Sequence, residues 1–454
     1  MSQFAVTDLP LAGLKQALKC RHCGGELRLP FLDLGSAPPS NAYLTEVGLR
    51  ASERWFPLRL LVCELCWLVQ TDDHAGRETL FTAGYAYFSS FSTSWLAHAE
   101  RYVQAMVQRF GLNNESRVVE IAANDGYLLQ YVQAAGIPCY GVEPTVGTAA
   151  AARAKGIAIV ERFFGVELAD ELARTGQQAD LMVANNVLAH VPDINDFVAG
   201  FARLLKPQGV ATFEFSHLLR MVQENQFDTA YHEHYSYLSL TVVEHIFVRN
   251  GLSVFDVEEL PTHGGSLRIF AQRSDSDQQA VSPNVVALRK VEADAGMASV
   301  TFYSGFQTKA EKVKDDLLAF LIEAKRQGLK VAAYGGAAKG NTVLNFAGVR
   351  PDLLPYVVDR NPAKQGKFMP GSRIPIVDET HLKVHQPDRI LILPWNLRQE
   401  VMPQLAYVRQ WGGQFVTAVP ALVVTQGFPH EGAVNSRSLN DTQFINDQQS
   451  LKWT

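Results

Sequence analysis

The sequence predicts an α/β protein with an N-terminal metal-bearing lobe, a parallel-sheet unit and a second, smaller parallel-sheet unit. Three observations carry that prediction. Four cysteines stand in two C-x-x-C pairs, Cys20/Cys23 and Cys63/Cys66. From residue 117 to 215, apolar strand-like runs alternate with amphipathic helical ones, the pattern of a parallel sheet covered by helices on both faces. From Lys330 the alternation resumes and continues to about Pro420.

A chain of 454 residues exceeds one ordinary core, so two or three domains are expected. The net charge of −5 lacks the basic balance of a general nucleic-acid binder. No apolar run approaches the roughly 18 residues that would span a bilayer, so no membrane partner is expected. Met1 to Lys19 shows no export-signal pattern, and five cysteines in so long a chain make no disulfide framework; a cytoplasmic location is expected. Cys139, within an apparent strand, fits a small buried apolar role.

Residues 1–80 form a loop-rich module broken by Pro30, Pro38, Pro39 and Pro57, with short apolar runs at 58–62 and 67–69. So small a core needs support, which a metal supplies. Two C-x-x-C knuckles offer zinc four soft ligands in a closed tetrahedron, a structural site with no open position for catalysis; reduced, metal-free thiols are the alternative. Residues 24–62 separate the knuckles, more than the about 15–20 of compact ribbons, so a lobe at 32–55 lies between them. His22, inside the first knuckle, is a bystander to four thiolates.

A unit at 81–275 follows. An aromatic segment, 85–91, leads into a helix at 94–111. Strands are expected at 117–122, 138–142, 157–160, 180–184 and 210–215, with helices at 127–135, 146–155, 166–174 and 194–205 between them. A helix at 241–250 and two strands, 252–257 and 266–272, close the unit. The turn Glu120-Ile121-Ala122-Ala123-Asn124-Asp125-Gly126 lacks the first two glycines of a dinucleotide fingerprint, which weakens NAD. It is closer to the acidic-x-G-x-x-x-G turn of class I S-adenosylmethionine (SAM) methyltransferases, with Glu120 at the acidic place, Gly126 at the last glycine and Ala122 departing at the first. An alanine there is strained if φ must be positive. Glu143 ends the second strand, where a carboxylate binds ribose hydroxyls, and Asn185-Asn186 ends the fourth. The closing strand pair favours SAM over NAD.

Past the strand at 210–215 lies Phe227-Asp228-Thr229-Ala230-Tyr231-His232-Glu233-His234-Tyr235-Ser236-Tyr237. Imidazole suits proton transfer near neutral pH, so proton chemistry is expected; a metal-binding H-x-H, a hydrogen-bonded core and a surface loop are the competing readings. His190 lies at another strand's carboxyl end and can reach the same cleft. His263-Gly264-Gly265 is a turn first and a substrate contact second.

Residues 276–328 read as a helical connector with two helices over 284–327. The second unit, 329–420, has expected strands at 330–334, 355–358, 389–393 and 414–418. Its loop Gly335-Gly336-Ala337-Ala338-Lys339-Gly340-Asn341 offers a helix N-terminus and a lysine to a phosphate. It is one substitution from G-x-G-x-x-G, so NAD stays open here, with Asp359 as the ribose carboxylate. Residues 421–454 carry few apolar groups and are expected to be a tail or strap.

Taken together these residues resemble the bacterial nucleotide-sugar C-methyltransferases, enzymes that install branched methyls on deoxysugars. The likeness runs to about residue 420 and includes both cysteine pairs, Tyr85-x-Tyr87-x-Ser89-Ser90, Glu120-x-x-x-Asn124-Asp125-Gly126 and Asn186-x-x-x-His190. It continues through Phe227-Asp228-x-x-Tyr231-x-Glu233-His234, His263-Gly264-Gly265 and Tyr334-Gly335-x-x-x-Lys339. The resemblance implies a zinc-binding lobe, a class I SAM methyltransferase (Rossmann-like) domain and a C-terminal Rossmann-like domain that helps hold a nucleotide sugar. It implies His234 as general base with Tyr231, Glu233 and His190 beside it. SAM contacts are expected from Glu120, Asn124, Gly126, Glu143, Asn185 and Asn186. Substrate contacts are expected from Tyr85, Tyr87, Ser90, His263, Gly264, Lys339 and Asn341. Ala122 and His232 depart from the family pattern. The expected activity is carbon methylation next to a sugar ketone; an NAD-dependent oxidoreductase and a SAM-dependent O-methyltransferase are the alternatives.

Overall fold

The computed structural model describes residues 18–72, 76, 80, 88–276 and 278–425. Tyr85 and Tyr87 lie outside the described residues. Three sheets organise the described residues.

In the N-terminal lobe β1 (Leu29–Ala37), β2 (Phe56–Val62) and β3 (Val69–Thr71) form an antiparallel meander. A fourth strand, Ser236–Tyr237, pairs antiparallel with β3 from far along the chain. Alternation turns Leu32, Leu34, Leu58, Leu60 and Val62 inward, yet the lobe closes no core of its own. Its apolar face merges with the helical connector and the C-terminal unit, where Phe31 stacks on Phe306 at 4.7 Å.

The central sheet comprises β4 (Val118–Ile121), β5 (Cys139–Val142), β6 (Ile159–Val160), β7 (Ala179–Asn185) and β8 (Leu205–Ser216). After Ser236–Tyr237, which is β9, come β10 (Leu252–Leu260) and β11 (Ser266–Arg273). The spatial order is β6-β5-β4-β7-β8-β11-β10, with β11 antiparallel to both neighbours. The chain reverses direction of travel between β5 and β7, so a crevice opens beyond the carboxyl ends of β4 and β7. Local chemistry sets the flanking helices. The Ser92 side chain accepts from the Trp95 N–H to start the helix Thr93–Phe110, and Gly111 ends it at φ 61°. Asp193 and Ser239 cap the helices Ile194–Leu204 and Leu240–Arg249 in the same way.

The connector forms three helices, Pro283–Asp294, Val300–Tyr303 and Phe306–Arg326, rather than the expected two. Gly296 and Gly305 sit at φ 79° and 80°, left-handed positions that interrupt the helical run. The C-terminal sheet holds β12 (Val331–Tyr334), β13 (Val357–Val358), β14 (Ile376–Val377), β15 (Arg389–Ile392), β16 (Gln414–Thr417) and β17 (Val423–Thr425). Their order is β14-β13-β12-β15-β16-β17, parallel except for the last pair. The segment expected to be tail from 421 therefore begins as a strand, because Val423-Val424-Thr425 is a β-branched run beside an open sheet edge. Residues beyond 425 lie outside the described residues. No helix among the described residues is long and apolar enough to cross a membrane.

Candidate active site

The two α/β units face each other across a cleft of about 1180 Å³, large enough for two metabolite-sized ligands. Its floor on one side is the loop after β4. There Ala122, Asn124 and Gly126 take φ of 59°, 49° and 76°. The alanine is thus held in the left-handed region, at a cost of roughly 1–2 kcal/mol. Glycine suits position 126, where φ is left-handed and a Cβ would meet the Ile157 Cδ1 at 2.3 Å. Glu143, at the end of β5, accepts the Asn124 N–H at 2.9 Å and the Thr145 N–H at 2.8 Å, and still faces the cleft. Burial raises its pKa against those bonds. Asn185 also lines the cleft, buried beside the Tyr127 hydroxyl. A cleft-facing carboxylate for ribose hydroxyls and an amide near it at a topological switch point fit SAM.

Other expected cofactor residues lie deeper. Strand alternation turns Glu120 away from cleft-lining Ile121 to a place beside Tyr127. Burial pushes its pKa well up, with the hydrogen bond from Tyr127 opposing the shift and the charges of Asp125 and Glu143 adding to it. Gly126 shapes the loop without lining the cleft. Asn186 lines it at φ 52° and meets the His263 ring, Nδ2 to Nε2, at 3.1 Å.

The catalytic segment forms the middle of the cleft. His234 Nδ1 lies 2.8 Å from the Thr229 carbonyl, which can only accept, so Nδ1 carries the ring proton and Nε2 the lone pair. The Tyr231 hydroxyl donates to that Nε2 at 2.7 Å. His190 packs edge-on against His234 with ring centroids 4.5 Å apart. Burial pushes His234 well below the ordinary histidine range, with His190 adding to the shift; burial likewise takes His190 to about 4. Both rings are therefore neutral at pH 7. Tyr231, Glu233, His234 and His190 all line the cleft. His232 does not: its Nε2 bonds the Phe56 and Pro57 carbonyls in the lobe, so the H-x-H pair points two ways and holds no shared metal.

The opposite wall carries the lysine of the second unit. Lys339 Nζ donates to Thr229 Oγ1 at 3.0 Å and lies 5.3 Å from the centroid of the Trp395 ring. Trp395 in turn donates to Asp228 Oδ2 at 2.7 Å. Burial lowers the lysine's pKa, and Asp228 opposes the shift. Asp359, Arg360 and Lys364 extend this wall.

Three expected substrate residues sit elsewhere. Asn341, two positions past Lys339, lies on another face of its helix, fully buried and away from the cleft. Ser90 turns its hydroxyl to Lys155 at 2.9 Å, and Ser89 lines the cleft instead. Gly264 faces a neighbouring shallow groove, with its carbonyl accepting from Gln226 at 2.6 Å. His263 lines the cleft beside Trp95.

Sequence reasoning missed Asn41, Trp95, His98 and Glu214. The Asn41 amide nitrogen lies 2.8 Å from both Glu233 oxygens. Glu214, at the end of β8, binds His98 at 2.8 Å and Arg268 at 2.9 Å under the Trp95 ring. Burial alone would raise Glu214's pKa, but His98 and Arg268 hold it below the ordinary range. A Trp and a His at i, i+3 on the helix Thr93–Phe110 were a faint signal; Asn41, on a loop, carried none.

The four cysteines converge as the spacing suggested. Their ligand atoms all lie within 4.8 Å of one another, with Cys20–Cys66 at 3.6 Å and Cys23–Cys63 at 3.4 Å. Zn–S bonds of about 2.3 Å suit such a cluster. The Gln70 amide and the Gly25 N–H point at Cys20 and Cys23 sulfurs, donors that favour thiolates. His22 is no ligand; its ring and carbonyl dock on Asn195.

Comparison with known proteins agrees with this layout. Family profiles match a zinc binding domain over residues 20–81, a methyltransferase domain over 95–257 and a C-methyltransferase C-terminal domain over 261–420. The C-methyltransferase NovU of Streptomyces niveus is 32% identical over 402 residues, covering 88% of this chain and 95% of that protein. Among solved structures, SAM-bound magnesium protoporphyrin IX methyltransferase (ChlM) of Synechocystis PCC 6803 aligns at 18% identity, covering 39% of this chain and 79% of its own, with a TM-score of 0.31. A SAM-dependent methyltransferase of Anabaena variabilis aligns at 15% identity over 39% of this chain and 86% of its own, with a TM-score of 0.33. Scores that low add nothing to the assignment, which rests on the family profiles, the full-length relative and the site. The chain belongs to the SAM-dependent C-methyltransferases, with SAM as its cofactor and zinc at its four cysteines.

Proposed function

We propose that this C-methyltransferase acts on a keto nucleotide-sugar, removing a proton next to the ketone and methylating the resulting enolate carbon. The observation that carries the reading is the neutral His234 imidazole, its Nε2 lone pair in a cleft with a cofactor loop on one side and a buried lysine on the other. SAM, held by Glu143, Asn185 and the loop after β4, supplies an electrophilic methyl group. His234 Nε2 accepts the carbon-bound proton, a role worth about 10²–10⁴-fold. Tyr231 turns its hydroxyl from Nε2 to the ketone oxygen as substrate enters, which frees the Nε2 lone pair for the proton and places a donor on the developing enolate oxygen; one such donor contributes roughly 3–4 kcal/mol. Lys339 and the helix start behind Gly335 offer positive charge to the diphosphate. Orientation of the two carbons across the cleft adds further acceleration. Reduced thiolates at the metal site suit a cytoplasmic setting. The chemistry demands a carbon acid, which O-methylation and hydride transfer do not. The test is incubation with methyl-labelled SAM and a 4-keto nucleotide sugar. A label bonded to a ring carbon supports the reading; a label on oxygen, or none with any keto sugar nucleotide, sinks it.

A further inference from the structure

The zinc lobe enters the cleft through Asn41, on the loop that follows β1. Its amide nitrogen sits 2.8 Å from both oxygens of Glu233. Two residues on, the Tyr43 hydroxyl donates to the Gly336 carbonyl at 2.6 Å and lies 3.4 Å from Asn41 Oδ1. Lys364 Nζ reaches the same Gly336 carbonyl at 3.0 Å and Asp359 at 3.4 Å. One hydrogen-bonded string thus joins the catalytic segment, the zinc lobe and the glycine loop of the C-terminal unit. Glu233 is 1% exposed, and a carboxylate so buried is costly unless bonded. Its backbone carbonyl also takes a hydrogen bond from His190, and the next residue is His234. Glu233 is thus joined to one imidazole by a hydrogen bond and to the other by the chain.

We propose that Asn41 is a positioning residue for the reaction, clamping Glu233 and through it His190 and His234, so that the active site is complete only with the zinc lobe docked. This rests on the reading of the cleft as the substrate site. A structural role alone would leave rates intact once the fold is intact. The clamp instead requires that residue 41 be a donor to Glu233.

The test uses zinc-loaded full-length protein carrying Asn41→Ala or Asn41→Asp. The alanine variant is expected to lose about 10- to 100-fold in kcat at every pH while SAM binds as before, the scale of a small misplacement. The aspartate variant sets two carboxylates face to face, and the pair must share a proton to keep the bond. Its deficit in kcat should widen as pH rises from about 6 to about 8.5. Its thermal midpoint, measured without substrate, should fall relative to wild type over the same window. The sign follows from linkage: a raised carboxyl pKa stabilises the fold only while its proton is retained. The other titratable groups around the string are common to wild type and variant, so the deficit relative to wild type isolates the carboxylate pair. Burial keeps His190 and His234 neutral throughout; Tyr43 is held above its ordinary value by burial, and Lys364 by Tyr43 and Asp359, although burial alone would lower the lysine. Wild-type kcat in Asn41→Ala, or an Asn41→Asp deficit flat with pH in both rate and midpoint, would overturn the proposal. Failure of the wild type on every keto nucleotide sugar counts against the substrate reading instead, and the midpoint arm still judges the clamp.

Discussion

The loop after β4 and the loop after β12 occupy the same place in two similar sheets, yet their chemistry is opposite. The first presents one carboxylate to the cleft, Glu143 at the next strand end, held by backbone N–H groups, while Glu120 is buried with its pKa raised and Asp125 is paired with Lys155 at 3.5 Å. The second brings Lys339 and Lys364, and its equivalent carboxylate, Asp359, is engaged by Lys364 at 3.4 Å. A ribose-binding carboxylate tied to a lysine has lost much of its acceptor capacity. In the proposed function the first loop takes the adenosine of SAM and the second the anionic part of the substrate, one topology with different charges at equivalent strand ends.

Removing zinc should have the largest effect and should separate the two loops. Arg21 and His22, between the first pair of cysteines, hold Pro192 and Asn195 beside the cleft, on the wall of the first unit. A strong chelator is expected to lower stability by several kcal/mol, the scale of structural zinc sites, and to weaken SAM binding. Unchanged melting and SAM affinity in metal-free protein would remove zinc from the account. Next in size, Glu143→Gln should cost about 1.5–3 kcal/mol of SAM affinity by calorimetry, the worth of hydrogen bonds to a charged group. The same variant should leave the affinity for a nucleotide sugar in place, whereas Lys339→Met should do the reverse. Equal losses from either variant would erase the distinction. Smallest is Ala122→Gly, which relieves the left-handed alanine in the first loop and should raise stability by up to about 1 kcal/mol in thermal unfolding.

Much of this was legible in the sequence because it is periodic or local. Alternating apolar runs between 117 and 272 located the central strands, and two C-x-x-C pairs located the metal cluster. What escaped depended on contacts between distant segments. Ser236–Tyr237 joins the lobe sheet through pairing with β3, which two residues cannot announce. Asn41 meets Glu233 across 192 positions, and nothing in the run Pro39-Ser40-Asn41-Ala42 signals it. Asn341 failed for a geometric reason: neighbours at i, i+2 on a helix do not share a face.

The central claim is that His234 takes a proton from a sugar carbon. The direct measurement is deuterium entry beside the carbonyl of a 4-keto nucleotide sugar in deuterated water, for wild type and His234→Asn, across pH. Wild type should exchange deuterium, with a rate that holds as pH falls past about 6.5 and drops only below, because the ring's pKa is depressed and its neutral form persists. The variant should lose about 10²–10⁴-fold while binding SAM normally. Exchange at the wild-type rate in His234→Asn, or loss matched by an equal loss of SAM affinity, would contradict the account.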